Sequence, residues 1–109
     1  MSADGLLFVL KPPGMSSHDV VGFARRRLRE RRIGHLGTLD PGAAGALVLA
    51  CGKATALARY GLEAAKRYRA EAELGVATDT QDAFGTPGPI RHGAVRLGEL
   101  RAALQAMVG

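Results

Sequence analysis

Tryptophan is missing from this chain, aromatic residues are confined to three phenylalanines and two tyrosines, and Cys51 is the only cysteine. The shortage of rings leaves Leu, Val and Ala to build an aliphatic core. A single cysteine excludes an internal disulfide and a cysteine-cluster metal site, and its place after Leu47-Val48-Leu49-Ala50 favours a buried thiol. Long apolar runs are lacking too. No stretch approaches the ~20 residues that span a bilayer, and Met1-Ser2-Ala3-Asp4-Gly5 has no basic n-region, so neither membrane insertion nor secretion is expected and a cytoplasmic setting fits. The 47% apolar content argues against disorder, and 109 residues make one small domain or part of a larger one. Acidic residues are the scarce charge, 10 against 15 Lys and Arg, for a net charge of +5. That balance suits an acidic partner, although charge alone does not separate RNA from DNA or a membrane surface.

Leu6-Leu7-Phe8-Val9-Leu10 is an apolar run stopped by Lys11-Pro12-Pro13-Gly14, which predicts a buried strand entering a turn. Ser16 and Ser17 then offer N-cap oxygens. Val20, Val21, Ala24 and Leu28 recur at helical spacing, with the arginines mainly on the remaining surface, so a helix is predicted over 17–31. Gly34 to Gly45 holds four glycines and a proline and reads as loop. Ala46 to Cys51 reads as an interior strand, 55–65 as a helix, 68–74 as a strand with one polar face, and 78–89 as loop. Leu97, Leu100, Leu104 and Met107 form one stripe of a final helix. Strands alternating with helices make an α/β or α+β piece, and periodicity alone does not choose between them.

Chemistry is concentrated in two adjacent stretches. Arg25 to Arg32 carries six arginines against one glutamate, which favours a polyanion through charge and bidentate guanidinium geometry. Immediately after it, Gly34-His35-Leu36-Gly37-Thr38-Leu39-Asp40-Pro41 places one carboxylate in a Gly-rich turn. A carboxylate weakens attraction for phosphate, so Asp40 is either a solvated turn residue before Pro41 or a group that reacts with what the arginines hold. Gly52-Lys53-Ala54-Thr55 is not a P-loop, because Leu47 stands where the first glycine is required. The oxygen-rich run Thr78 to Asp82 superficially resembles the start of a calcium loop, but it lacks the glycine and the closing Glu of that pattern.

Taken in order, Lys11-Pro12-Pro13-Gly14-Met15-Ser16-Ser17, the Gly34 to Pro41 stretch with Gly45, Gly52-Lys53-Ala54-Thr55, Lys66-Arg67-Tyr68 and Leu74 through Asp82 resemble the TruB-type tRNA pseudouridine synthases. The resemblance covers roughly residues 6–90. It implies an α+β fold, part of a mixed, largely antiparallel sheet flanked by helices with an RNA cleft across its centre. It also implies that residues 1–109 are the amino-terminal part of a catalytic domain whose carboxyl-terminal remainder is absent, and that the chain alone is inactive or feeble. Exposed apolar surface along Ala46 to Cys51 and the final helix would be a consequence. The implied reaction converts a uridine in the T-loop of tRNA, uridine-55, to pseudouridine, and it needs no metal and no organic cofactor.

By the same resemblance Asp40 matches the catalytic aspartate, acting as a nucleophile or as a base. Tyr68 matches the tyrosine that stacks on uracil, and His35 the histidine that helps turn the base out of its stack. Lys11 belongs to the motif packed beneath the site and is a candidate substrate-binding residue with a supporting role. Arg25, Arg27, Arg29 and Arg32 are the candidates for phosphate contact. The T-arm of tRNA is the implied partner, with neither a membrane nor a protein partner. The competing reading is a noncatalytic RNA-binding module or tRNA-folding chaperone.

Overall fold

The computed structural model describes residues 4–61 and 65–109, in two compact units divided after Arg69. The first unit is a three-stranded antiparallel sheet of order β1-β3-β2, where β1 is Gly5–Lys11, β2 Ile33–Leu36 and β3 Gly45–Cys51. Helix α1 (Ser17–Leu28) joins β1 to β2. After β3 come a 3-10 segment, Gly52–Leu57, and one turn of helix, α2 (Ala58–Gly61). This is a small α+β arrangement.

Placing β3 in the centre follows from its sequence. A central strand has its backbone groups paired along both edges, and Gly45–Cys51 is a seven-residue stretch with no charged residue whose Leu47, Leu49 and Cys51 are buried there. Lys11 pairs with Gly45, Val9 with Leu47 and Leu7 with Leu49, while Ile33 pairs with Cys51 and His35 with Leu49. Paired residues share a face, so Val9, Leu47, Leu49, Cys51 and Ile33 meet Val20, Val21 and Ala24 of α1 in one core. Burial raises the pKa of the Cys51 thiol, assisted by the charge of Glu30, so it rests there protonated.

The apolar run of β1 is not buried as its composition suggested. Leu6, Phe8 and Leu10 lie on the face away from α1, and Phe8 and Leu10 are 74% and 79% exposed. The expectation that Ala46 to Cys51 would expose apolar surface is corrected by the same fact: β3 is central, and the exposed apolar face belongs to β1.

Helix α1 starts with a capping box. Ser16 accepts from the Asp19 N–H at 3.0 Å, and Asp19 accepts from the Ser16 N–H at 3.0 Å. Those bonds hold the Asp19 carboxyl below the usual carboxylate range. The helix ends at Leu28, three residues before the sequence pattern suggested. Arg29 adopts a left-handed conformation (φ 51°) and donates its N–H to the Arg25 carbonyl. That break turns the chain so that Ile33 enters the core. Leu28 is exposed, so the hydrophobic period had carried one residue past its buried stripe.

Three further expectations are corrected. The stretch read as loop from Gly34 contains β2, which needs only four residues because it pairs with a ready-made centre. Residues 68–74 form no strand. The helix expected over 55–65 is replaced up to Gly61 by the 3-10 segment and α2, and its continuation through 62–64 lies outside the described residues.

The second unit, 70–109, has a loop over 78–89 held by a bridge between Thr78 and Pro87, and helix α3 (Leu97–Ala106). Asp82 accepts from the Thr80 hydroxyl and from the Phe84 and Gly85 N–H groups, which holds its carboxyl below the usual range. The acid is thus a turn-former, with its oxygen Oδ1 directed at neighbouring protein donors. No helix among the described residues is long and apolar enough to cross a membrane.

The contrast between strands sets a stability test. Leu49→Ala, which empties a fully buried site on β3, is expected to cost about 2–5 kcal/mol in urea unfolding. Phe8→Ala on the exposed face is expected to cost less than about 0.5 kcal/mol. Equal losses would show that β1 is covered in solution.

Candidate active site

All three strands bring chemistry to one end of the sheet. Lys11 ends β1 opposite Gly45, the first residue of β3, and Leu36 ends β2 opposite Val48. The turn that follows β1 and the 37–44 loop that joins β2 to β3 therefore emerge side by side. Asp40 stands in that loop, exposed.

The loop is fastened on both sides of Asp40. On one side, the Ser17 hydroxyl donates to the Leu39 carbonyl at 2.9 Å and accepts from the Leu39 N–H at 2.9 Å. On the other, the Pro41 carbonyl accepts from the Gly14 N–H at 2.7 Å and from Lys11 Nζ at 3.2 Å. The Asp40 carbonyl closes a turn by accepting from the Ala43 N–H at 2.9 Å. The Leu39 side chain packs against the core. A loop of this composition would be mobile if left to itself. Here its backbone groups are paired with a helix end and a turn.

Lys11 has no exposed surface. Its ammonium donates to the carbonyls of Pro12 (3.0 Å), Met15 (2.6 Å) and Pro41 (3.2 Å), which uses all three of its protons. That leaves Lys11 no surface with which to touch a bound nucleotide in this conformation. It holds the turn and the Asp40 loop together from beneath.

His35 lies on β2, half-buried, with Nδ1 2.9 Å from the Gly37 carbonyl. A carbonyl only accepts, so Nδ1 carries the proton of that bond, and Nε2 of the neutral ring is left as an acceptor. Gly37 has φ +86°, a conformation that favours glycine, and a Cβ there would lie 2.7 Å from Lys66 Nζ. The Lys66 side chain therefore crosses the start of the Asp40 loop. Tyr68, two residues further on, is 63% exposed on a segment without regular structure. The strand in which it was expected to lie is not formed.

The basic segment divides. Arg25 donates to the Ile33 carbonyl at 3.0 Å and Arg32 to the Thr55 hydroxyl at 3.0 Å, so both guanidinium groups brace β2 and the 3-10 segment. Arg27 and Arg29 are exposed, Arg27 on the last turn of α1 and Arg29 just beyond it. Sequence reasoning gave Lys66 no place in the site and read Ser17 only as a helix cap. The signal for Ser17 was the serine doublet, one residue more than a cap requires. Among the described residues no three His, Cys, Asp or Glu side chains gather as a metal site.

The structure separates the two stretches: Asp40 stands at the Gly45 end of the sheet beside the start of α1, whereas Arg25 to Arg32 close α1 and enter β2 at the Cys51 end. The model of the TruB family pseudouridylate synthase (N terminal domain) matches residues 25–109, and the chain belongs to that family. It is 61% identical over 82 residues to tRNA pseudouridine synthase B of Symbiobacterium thermophilum, covering 75% of this chain and 27% of that protein. Over 106 residues it is 43% identical to tRNA pseudouridine synthase B of Alkaliphilus oremlandii, covering 97% of this chain and 36% of that one. The protein of the same name in Heliobacterium modesticaldum is 56% identical over 85 residues, 78% of this chain and 28% of its own. The chain thus spans about a third of the length of these relatives or less.

Lys11→Met keeps most of the apolar stem of the side chain but leaves three carbonyls without their donor. It is expected to destabilise the first unit by about 1–3 kcal/mol, read as a lowered urea midpoint with unchanged slope.

Proposed function

We propose that this chain is the amino-terminal part of a tRNA pseudouridine synthase catalytic domain that isomerises a T-loop uridine of tRNA. Asp40 is its catalytic carboxylate. The observation that carries the reading is the exposed Asp40 on a loop fixed at both flanking residues, since a reacting group must be held to within a fraction of an ångström.

The reaction breaks the bond from N1 of uracil to C1′ of ribose, turns the base, and joins C5 to C1′. C5 loses a proton and N1 gains one, so there is no net redox change. An ionised carboxylate attacks the sugar or the ring as a nucleophile, or removes a ribose proton as a base. His35 and Tyr68 serve the everted base, His35 through its acceptor Nε2 and Tyr68 as a stacking face. Arg27 and Arg29 hold phosphates, with Arg25 and Arg32 adding charge while bracing the fold. The remainder of the domain follows residue 109.

An unmodified tRNA transcript carrying tritium at uridine C5 tests this, with the 109-residue chain alone and with the polypeptide extended to the length of its relatives. Tritium release by the extended polypeptide should vanish in Asp40→Asn while tRNA binding persists. Release that survives the substitution would leave Asp40 as a turn residue. Absence of any release, with binding intact in both, would favour a noncatalytic RNA-binding module.

Arg27→Glu with Arg29→Glu should weaken tRNA binding and flatten the plot of log affinity against log salt by about 0.7–0.9 for each phosphate no longer neutralised. An unchanged slope would assign those arginines to solvent.

A further inference from the structure

We propose that Ser17 is the positioning residue for Asp40; the proposal rests on the reading of Asp40 as the catalytic carboxylate. One hydroxyl here serves both backbone groups of one residue, accepting from the Leu39 N–H and donating to the Leu39 carbonyl, each at 2.9 Å. The two groups of a residue face the same side only where the chain is extended, as in a ladder between strands. Ser17 therefore replaces a neighbouring strand for a single residue. It is 3% exposed, so water has no access to take over either bond.

Fixing Leu39 fixes Asp40. The Leu39 carbonyl and the Asp40 N–H share one rigid peptide plane, so a held carbonyl sets that plane. Asp40 precedes proline and is restricted to extended conformations, Pro41 has φ fixed by its ring, and the Pro41 carbonyl is held by Gly14 and Lys11. Only the side-chain torsions of Asp40 remain free. The serine doublet divides its work, with Ser16 capping α1 and Ser17, the first residue of the helix, anchoring the loop.

The helix supplies the rigidity. Ser17 is followed by Val20, Val21 and Ala24, all in the core, so the hydroxyl stands on an element that does not drift relative to the sheet. On the Leu39 side, the backbone leading into Asp40 is thereby referenced to α1 through one oxygen atom.

The test uses the complete polypeptide, with kcat and KM measured separately on tritiated tRNA and corrected for the folded fraction, and with hydrogen exchange at the Leu39 amide as a second readout. Ser17→Ala should lower kcat by roughly ten- to a hundredfold, the scale of an ångström of misplacement, leave KM unchanged, and speed Leu39 exchange. Ser17→Thr, which keeps the oxygen, should recover most of the rate and the protection. A parent-like kcat in Ser17→Ala beside an inactive Asp40→Asn would overturn the proposal alone. So would unchanged Leu39 exchange. An Asp40→Asn variant that still releases tritium would overturn the functional reading, and the proposal with it.

Discussion

A lysine ammonium taken out of water costs several kcal/mol unless every proton finds an acceptor. Lys11 meets that condition with three carbonyls from two separate stretches, Pro12 and Met15 in the turn after β1 and Pro41 in the loop after Asp40. Neither stretch satisfies the cation alone. The turn and the loop are consequently stable only together, and the Gly14 to Pro41 hydrogen bond adds to the same coupling. The start of α1 depends on it as well, because Ser16 and Ser17 follow directly from that turn. A single buried charge thus brings together the two loops at the Asp40 end of the sheet.

The sheet beneath has a different logic on each face. Toward α1 it is closed by aliphatic packing around Leu49, with Val9, Leu47, Cys51 and Ile33. On the other face Leu6, Phe8 and Leu10 of the edge strand stand in solvent. An exposed apolar edge strand invites pairing or covering.

The sequence made some of this legible for physical reasons and hid the rest for equally physical ones. The α1 helix was readable because Val20, Val21 and Ala24 repeat at helical spacing and a serine stands at its start, and Ala46 to Cys51 was readable as a strand because it is a short uninterrupted apolar run between glycines. β2 was hidden. Its four residues include Gly34 and lead into Gly37, so local chemistry indicates a loop, and only pairing with β3 makes Ile33–Leu36 a strand. Exposure of β1 was hidden too, since an apolar run carries no information about whether a second layer is present. At the site, Asp40 and His35 were marked by their position in a Gly-rich motif, and the structure gives both a defined backbone setting. The bonds that hold the Asp40 loop were not legible, because a lysine before a proline and a serine after a turn look like ordinary punctuation until the chain is folded.

The distribution of restraint follows the tolerance of each interaction. Coulomb attraction falls off only as the inverse of distance, so a guanidinium that attracts phosphate loses little if it wanders by an ångström, and Arg27 and Arg29 are left long and exposed. Bond making at carbon loses orders of magnitude over the same displacement. The hydrogen bonds at the Gly45 end of the sheet accordingly converge on residues 39–41, while the basic segment lies at the Cys51 end. Arg25 and Arg32 are the exceptions that clarify the rule. Each is tied to Ile33 or Thr55 because the strand carrying His35 is short and needs bracing along its edge. In the proposed reading, charge that attracts a polyanion and rigidity for acting on it are therefore kept apart, the arginines at the Cys51 end of the sheet and the restrained carboxylate at the Gly45 end, with α1 running between them.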